Sequence, residues 1–132
     1  MRLIILLMII ASLLILGCAS LPRIELSTAS FDLGDIHPEL GVRTETFKVY
    51  NKGGAPLKIT SVSTSCGCTT AEVDKDDIPA GGEATLTVSY DPSVHPGLVG
   101  EIKRIVYIQS NDPLQEEAEL ELTGNSLPAE GQ

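Results

Sequence analysis

The sequence predicts an all-β fold built as a sandwich of two stacked sheets, and three observations carry that reading. No segment after Ile24 sustains a helical hydrophobic period. Apolar and polar residues alternate in several runs, and β-branched residues are frequent within them. Glycine, proline, asparagine and aspartate punctuate the chain between those runs.

Taken in order, a first extended segment runs from Ile24-Glu25-Leu26 to Phe31-Asp32-Leu33 and is closed by Gly34-Asp35. A second spans Val42 to Tyr50, with Phe47 and Val49 alternating against Thr46 and Lys48, and stops at the turn Asn51-Lys52-Gly53-Gly54. Leu57 to Val62 makes a third, and Thr69 to Val73 a fourth, before the loop Asp74-Lys75-Asp76-Asp77. Pro79-Ala80-Gly81-Gly82 is a strong turn signal. After it Ala84, Leu86, Val88 and Tyr90 alternate with Glu83, Thr85, Thr87 and Ser89, the cleanest half-buried strand of the chain. Asp91-Pro92 ends that strand. A sixth covers Ile102 to Gln109, and its centre Ile105-Val106-Tyr107-Ile108 reads as buried on both sides. Asn111-Asp112-Pro113 turns the chain, and Ala118, Leu120 and Leu122 then alternate with Glu117, Glu119 and Glu121. Gly124 opens a polar tail, 125–132. About seven strands over residues 24–124 point to an immunoglobulin-like β-sandwich, because two stacked sheets let so many half-apolar strands share one core.

The chain is 132 residues long, enough for one small domain once a leader is set aside. That leader is residues 1–17. Met1-Arg2 is followed by the apolar run Leu3 to Leu16, about 14 residues, which is short of the ~20 that span a bilayer. Its end, Ile15-Leu16-Gly17-Cys18, resembles the bacterial lipobox, in which the cysteine sulfur takes a diacylglycerol before cleavage; Leu16 departs from the smaller residue preferred there. The expected layout is a signal helix over 1–17, lipidation at Cys18 and a tether over 18–23. An ordinary signal peptide cut nearby and an uncleaved anchor are the alternatives. Multiple acyl chains anchor stably, so the membrane is the first expected partner, and the setting is the cell envelope, on a periplasmic face or the cell surface. So short a tether would hold the domain, and the later cysteines with it, close to the lipid.

Charge narrows the other partners. Removing residues 1–17 takes away Arg2 and no acid, so the formal charge goes from −9 to −10. An acidic surface repels phosphate backbones, and with no tryptophan, three tyrosines and two phenylalanines there is no stacking platform for bases. Nucleic acid is therefore not an expected partner. An envelope protein is.

The chemical candidate is Ser65-Cys66-Gly67-Cys68-Thr69-Thr70, because no packing rule needs two thiols flanking a glycine. In an extended chain such cysteines share a face, with α-carbons roughly 6.6 Å apart, near the upper limit for a disulfide, and Gly67 would let the chain tighten. Three readings stay open: a local structural bridge, a labile redox pair, or a soft-metal site for Cu(I) or half a zinc centre. A complete four-ligand zinc set is not evident, so no metal or cofactor is assigned. With Cys18 given to lipid, Cys66 and Cys68 are left as a pair, which suits an oxidising compartment.

The remaining candidates have plainer explanations. His37 and His95 both precede proline in loop-like segments, distant in sequence from the cysteines, and read as solvent-exposed. No base is promised for a cysteine nucleophile, there is no phosphate loop or Gly-x-Ser-x-Gly, and an enzyme is not expected. The glutamates of the last strand read as a solvated face that discourages edge pairing. Asp74, Asp76 and Asp77 lack the glycine and distant glutamate of a calcium loop.

Together, Phe31-Asp32-Leu33-Gly34-Asp35, Phe47-Lys48-Val49-Tyr50-Asn51-Lys52-Gly53, Leu57-Lys58-Ile59, Ser65-Cys66-Gly67-Cys68-Thr69, Ile78-Pro79-Ala80-Gly81 and Ser110-Asn111-Asp112-Pro113 resemble a known family. It is the bacterial domain of unknown function 1573, related to the immunoglobulin-like domains of the major-sperm-protein and ASPM–SPD-2–Hydin group. The resemblance covers about residues 28–124. It implies a sandwich fold, frequent export or lipidation and no settled activity, so it assigns no catalytic residue. The expected role is a non-enzymatic interaction or structural module; the alternative is a thiol-redox or Cu(I)-binding protein using Cys66 and Cys68.

Overall fold

The alternating runs become nine strands in the computed structural model, which describes residues 20–131. They are β1 (Ile24–Leu26), β2 (Ser30–Ile36), β3 (Arg43–Asn51), β4 (Leu57–Thr64), β5 (Thr69–Val73), β6 (Asp77–Ile78), β7 (Glu83–Tyr90), β8 (Gly100–Ser110) and β9 (Glu117–Ser126). One sheet has the order β1-β3-β7-β5 and the other β2-β9-β8-β4-β6. All pairs are antiparallel except β2 with β9. This is an immunoglobulin-like sandwich, as the alternation requires. The signal helix over 1–17, Cys18 and Ala19 lie outside the described residues. Among the described residues no helix is long and apolar enough to cross a membrane.

The two strands beyond the expected seven arise for local reasons. The first extended segment changes sheets: the Ser27 amide donates to Lys48 O at 2.9 Å and its hydroxyl accepts from Lys48 N at 3.0 Å. That turn sends β1 to β3 and β2 across to β9. Within the expected aspartate loop, Asp77–Ile78 pairs with Leu57 and Lys58, because Ile78 is fully buried. Gly34 does not close β2. It sits at φ +68°, where the β2–β9 register shifts, and so forms a bulge inside the strand. The last strand likewise continues past Gly124 to Ser126, which pairs with Ile36 and Gly100.

The core lies between the sheets. Val49, Leu86 and Val88 of one face Leu57, Val106, Ile108 and Leu120 of the other, all buried. In β8, Val106 and Ile108 are buried while Ile105 and Tyr107 are half-exposed, so this strand alternates and is covered on one side only. A second cluster of Leu33, Ile36, Cys68, Tyr90 and Ile102 closes one end of the sandwich.

The two ends differ. At one, Ile24 opposes Asn51, and the entering chain is strapped down by Lys52 N donating to Arg23 O at 2.8 Å and Gly54 N to Leu21 O at 3.1 Å. Asn51, fully buried, accepts from Arg23 N and Gly53 N and donates to Ala55 O and Ile78 O. Asp112 accepts from Ile24 N at 2.9 Å, from the amides of Leu114 and Gln115, and from Arg23 Nη1 at 3.2 Å. Burial pushes that carboxyl up, but these four donors outweigh it and hold its pKa below the ordinary value. At the other end, Arg43 opposes Tyr90 and Tyr90 opposes Thr69. The nine residues of β3 separate the ends by about 27 Å.

Candidate functional site

The site forms where the strand ladder runs out at this second end. β4 stops at Thr64, and Ser65 keeps the next rung by donating its amide to Ile105 O while its hydroxyl accepts from Ile105 N, both at 2.9 Å. Cys66 to Thr69 then make a turn, Thr69 N donating to Cys66 O at 3.1 Å. Across its mouth the Thr64 hydroxyl lies 2.7 Å from Thr69 O and 3.0 Å from Cys66 O. The turn places the α-carbons of Cys66 and Cys68 5.2 Å apart, within the range that allows a disulfide, with their sulfurs side by side. Gly67 is not what tightens it: its φ lies outside the left-handed region and a Cβ there would meet nothing.

The sulfurs have unequal surroundings. Cys68 is 1% exposed and packs in the cluster with Tyr90, whereas Cys66 is half-buried at the surface. Arg104 Nε donates to Cys68 Sγ at 3.0 Å, and its Nη1 donates to Lys103 O at 2.8 Å, which fixes the guanidinium. The neighbouring Lys103 is already engaged at 2.6 Å by Glu121, whose hydrogen bond and charge raise the lysine's pKa. Arg104 is thus the cation set against the pair.

His95 reaches the pair from a different element. Asp91 N donates to Cys68 O at 2.8 Å, carrying the β5–β7 pairing one step beyond Tyr90 and drawing the following loop over the cysteine turn. Asp91 caps the 3-10 turn Pro92–Val94, its Oδ1 accepting from the Ser93 hydroxyl and amide, and those bonds hold its carboxyl below the usual range. His95 ends the turn with Nε2 3.3 Å from Cys66 Sγ. Both histidines are exposed, as their loop positions predict, but exposure does not make them equivalent. His37 stays apart, against Glu39 at 3.2 Å, but His95 joins the cysteines. Among the described residues, Cys66, Cys68 and His95 are the one group whose ligand atoms, all within 4.8 Å of one another, suit a metal. Asp74 instead accepts from Thr85 N at 2.8 Å as a turn residue.

Magnitudes decide what this arrangement is for. A bridge closing a loop of about three residues stabilises by about 1.6 kcal/mol in the chain-entropy picture. Truncating one buried leucine to alanine costs about 2–5 kcal/mol. By these magnitudes the bridge would add less than one well-packed core side chain, while Cys68 itself is part of the core and both sulfurs lie against polar groups, an imidazole and a guanidinium.

Apolar surface surrounds the same end. Leu40 (75% exposed), Val42 (54%), Val94 (45%) and Val99 (58%) project from the loops joining β2 to β3 and β7 to β8. His95 also borders a groove of about 300 Å³ lined by Pro38, Pro92, Leu98, Val99 and Pro128.

Fold and site together define an immunoglobulin-like sandwich with a Cys-x-Cys pair, a histidine and an arginine at one end. The chain belongs to the family described as protein of unknown function (DUF1573), whose model matches residues 24–126. No curated protein sequence matches it. A protein of unknown function from Porphyromonas gingivalis W83 is similar in structure, with 26% identity and a TM-score of 0.71; the match covers 79% of this chain and 46% of that one. The present chain thus spans less than half the length of that relative. Similar in fold alone are the ASH/PapD-like domain 7 of human CEP192 (11% identity, TM-score 0.61, 83% of this chain and 89% of that one) and the E. coli chaperone DraB (11%, 0.56, 83% and 58%).

Proposed function

We propose that this is a cell-envelope lipoprotein, anchored through lipid on Cys18, whose immunoglobulin-like domain is non-enzymatic and docks another envelope protein through the end that carries Cys66 and Cys68. The observation that carries this reading is the grouping of Leu40, Val42, Val94 and Val99 around that pair. Solvated apolar side chains are ordinary singly, but four in the two loops at one end of a small acidic domain support an interaction surface there. The tether joins the opposite end of the sandwich, at Leu21 and Arg23, so in this reading the docking end points away from the lipid and stands about 27 Å from the anchored end, not close to the lipid as the tether's length alone suggests. Pull-down from envelope extracts tests the reading: L40D and V99D should abolish a capture that L114D, at the tether end, leaves intact. Equal capture by all three variants would count against it. Mass spectrometry of the mature N-terminus tests the anchor, with a diacylglyceryl-modified Cys18 expected.

A second reading is favoured by His95 and Arg104, which contact the two sulfurs. In it the pair is bridged in the envelope and thiol-active. An incoming protein thiolate bonds to Cys66 Sγ as the Cys66–Cys68 bond breaks, and Cys68 Sγ leaves as a thiolate stabilised by Arg104. A reduction potential well above the about −300 mV of inert structural disulfides is the expected result. A lower one removes this reading.

A further inference from the structure

We infer that the reduced Cys66–Cys68 pair, with His95 as third ligand, forms a Cu(I)-binding site. The inference goes beyond the docking role and rests on the thiol-active reading: an incoming protein dithiol reduces the bridge, leaving as a disulfide while Cys66 and Cys68 become free thiols. Two thiolates and an imidazole are a soft, low-coordination set, which suits Cu(I) and not a hard cation that wants oxygen ligands. The three ligand atoms already lie within 4.8 Å of one another, and His95 Nε2 is 3.3 Å from Cys66 Sγ, so a small opening of the sulfurs admits an ion between them. Zinc would need a fourth protein ligand or water, and no further cysteine, histidine or carboxylate joins the group among the described residues.

The charge balance fits as well. Each thiol releases one proton to solvent; two Cu–S bonds and one Cu–N bond form, no electron is transferred, and the resulting centre carries one negative charge. Arg104 supplies the compensating cation at Cys68 Sγ, and Cys68 N donates to Cys66 Sγ at 3.2 Å, so each sulfur has a second-layer donor. Entry is open, since His95 is exposed and Cys66 half-buried in a surface depression bounded by Ser65, Arg104 and Ile105.

The test uses the full-length protein in detergent, reduced anaerobically with a phosphine and titrated with Cu(I) against bicinchoninate. One Cu(I) per chain is expected, with two sulfur and one nitrogen scatterers by X-ray absorption. H95A should weaken binding at least tenfold and lose the nitrogen shell. R104Q should weaken it about tenfold with the shell unchanged. Neither variant removes a core side chain. Alkylation of Cys66 and Cys68 reports reduction independently. Reduced protein that binds no copper, although a parallel aliquot alkylates fully at Cys66 and Cys68, would overturn the copper site alone, as would wild-type affinity in H95A, or zinc retained against Cu(I). A pair that resists reduction in the folded protein would remove both the thiol-active reading and this site.

Discussion

Cys66 Sγ and His95 Nε2 stand 3.3 Å apart although 29 residues separate them in sequence. Two residues further on, Cys68 Sγ turns into the core and takes its hydrogen bond from Arg104. One sulfur is therefore reachable and the other is enclosed. In the reduced protein the single variant C68S, which leaves Cys66, should react with iodoacetamide at least ten times faster than C66S, which leaves Cys68. Equal rates, with both variants folded by circular dichroism, would contradict the asymmetry.

Asp112 ties the entering strand to the turn between β8 and β9, and its folded pKa lies below the unfolded one because amides and Arg23 hold the carboxylate. The unfolded state therefore binds the proton first as pH falls. The carboxylate's contribution is complete above the unfolded value of about 3.9 and fades as pH drops through the lower folded one. D112A leaves the amides of Ile24, Leu114 and Gln115 without this acceptor and should destabilise by about 2–3 kcal/mol at neutral pH. Urea unfolding at pH 7 and pH 3 checks the sign, since the gap between wild type and variant must narrow in acid.

Gly53 is needed because of what lies over it. A Cβ there would overlap the Leu21 carbonyl oxygen and stand 2.7 Å from Arg23 N, both backbone atoms that cannot swing aside. G53A should thus release the strap formed by residues 21–23, seen as accelerated amide exchange at Arg23 and Gly54 together with a fall in Tm. Unchanged exchange there would show that the tether is not held by this approach.

How much of this was legible follows from range. β7 was plain because each residue's face is written in its own alternation, and Gly53 lies beyond a strand end as its type suggests, whereas Asn51, expected in the turn, is the last, buried residue of β3. The split of the first segment was hidden, since Leu26 and Phe31 look alike whether or not the chain changes sheets between them. The Cys66–His95 meeting was hidden for a deeper reason. It depends on β5 pairing with β7, which local pattern does not reveal, although that pairing once known extends through Asp91 to His95. Arg104 looked like any charged residue on a strand. Its role appears only when β8 is placed beside the end of β4.

Gly67 separates packing from chemistry. Its backbone needs no glycine and its space is open, so G67A should keep stability within about 0.5 kcal/mol of wild type. Any loss of partner capture in that variant would report a partner that reaches the exposed turn itself, because the added methyl group meets nothing else in the fold. A large loss of stability would show that the turn requires glycine after all.

The last prediction concerns orientation. Ser20 lies two residues beyond Cys18 and therefore within about 7 Å of it along the chain. Leu21 and Arg23 are fastened to the Asn51 end, while the cysteine turn closes the other end, about 27 Å away along β3. If Cys18 carries lipid, a fluorophore attached at the exposed Leu114, at the tether end, should be quenched by quencher-bearing lipid headgroups, and one attached at Val94 should not. The comparison is decisive because both sites sit on one rigid sandwich, so mobility of the short tether moves them together and cannot equalise them. Equal quenching would mean that the domain lies flat on the bilayer, with its apolar loops occupied by lipid and no longer free for a protein partner.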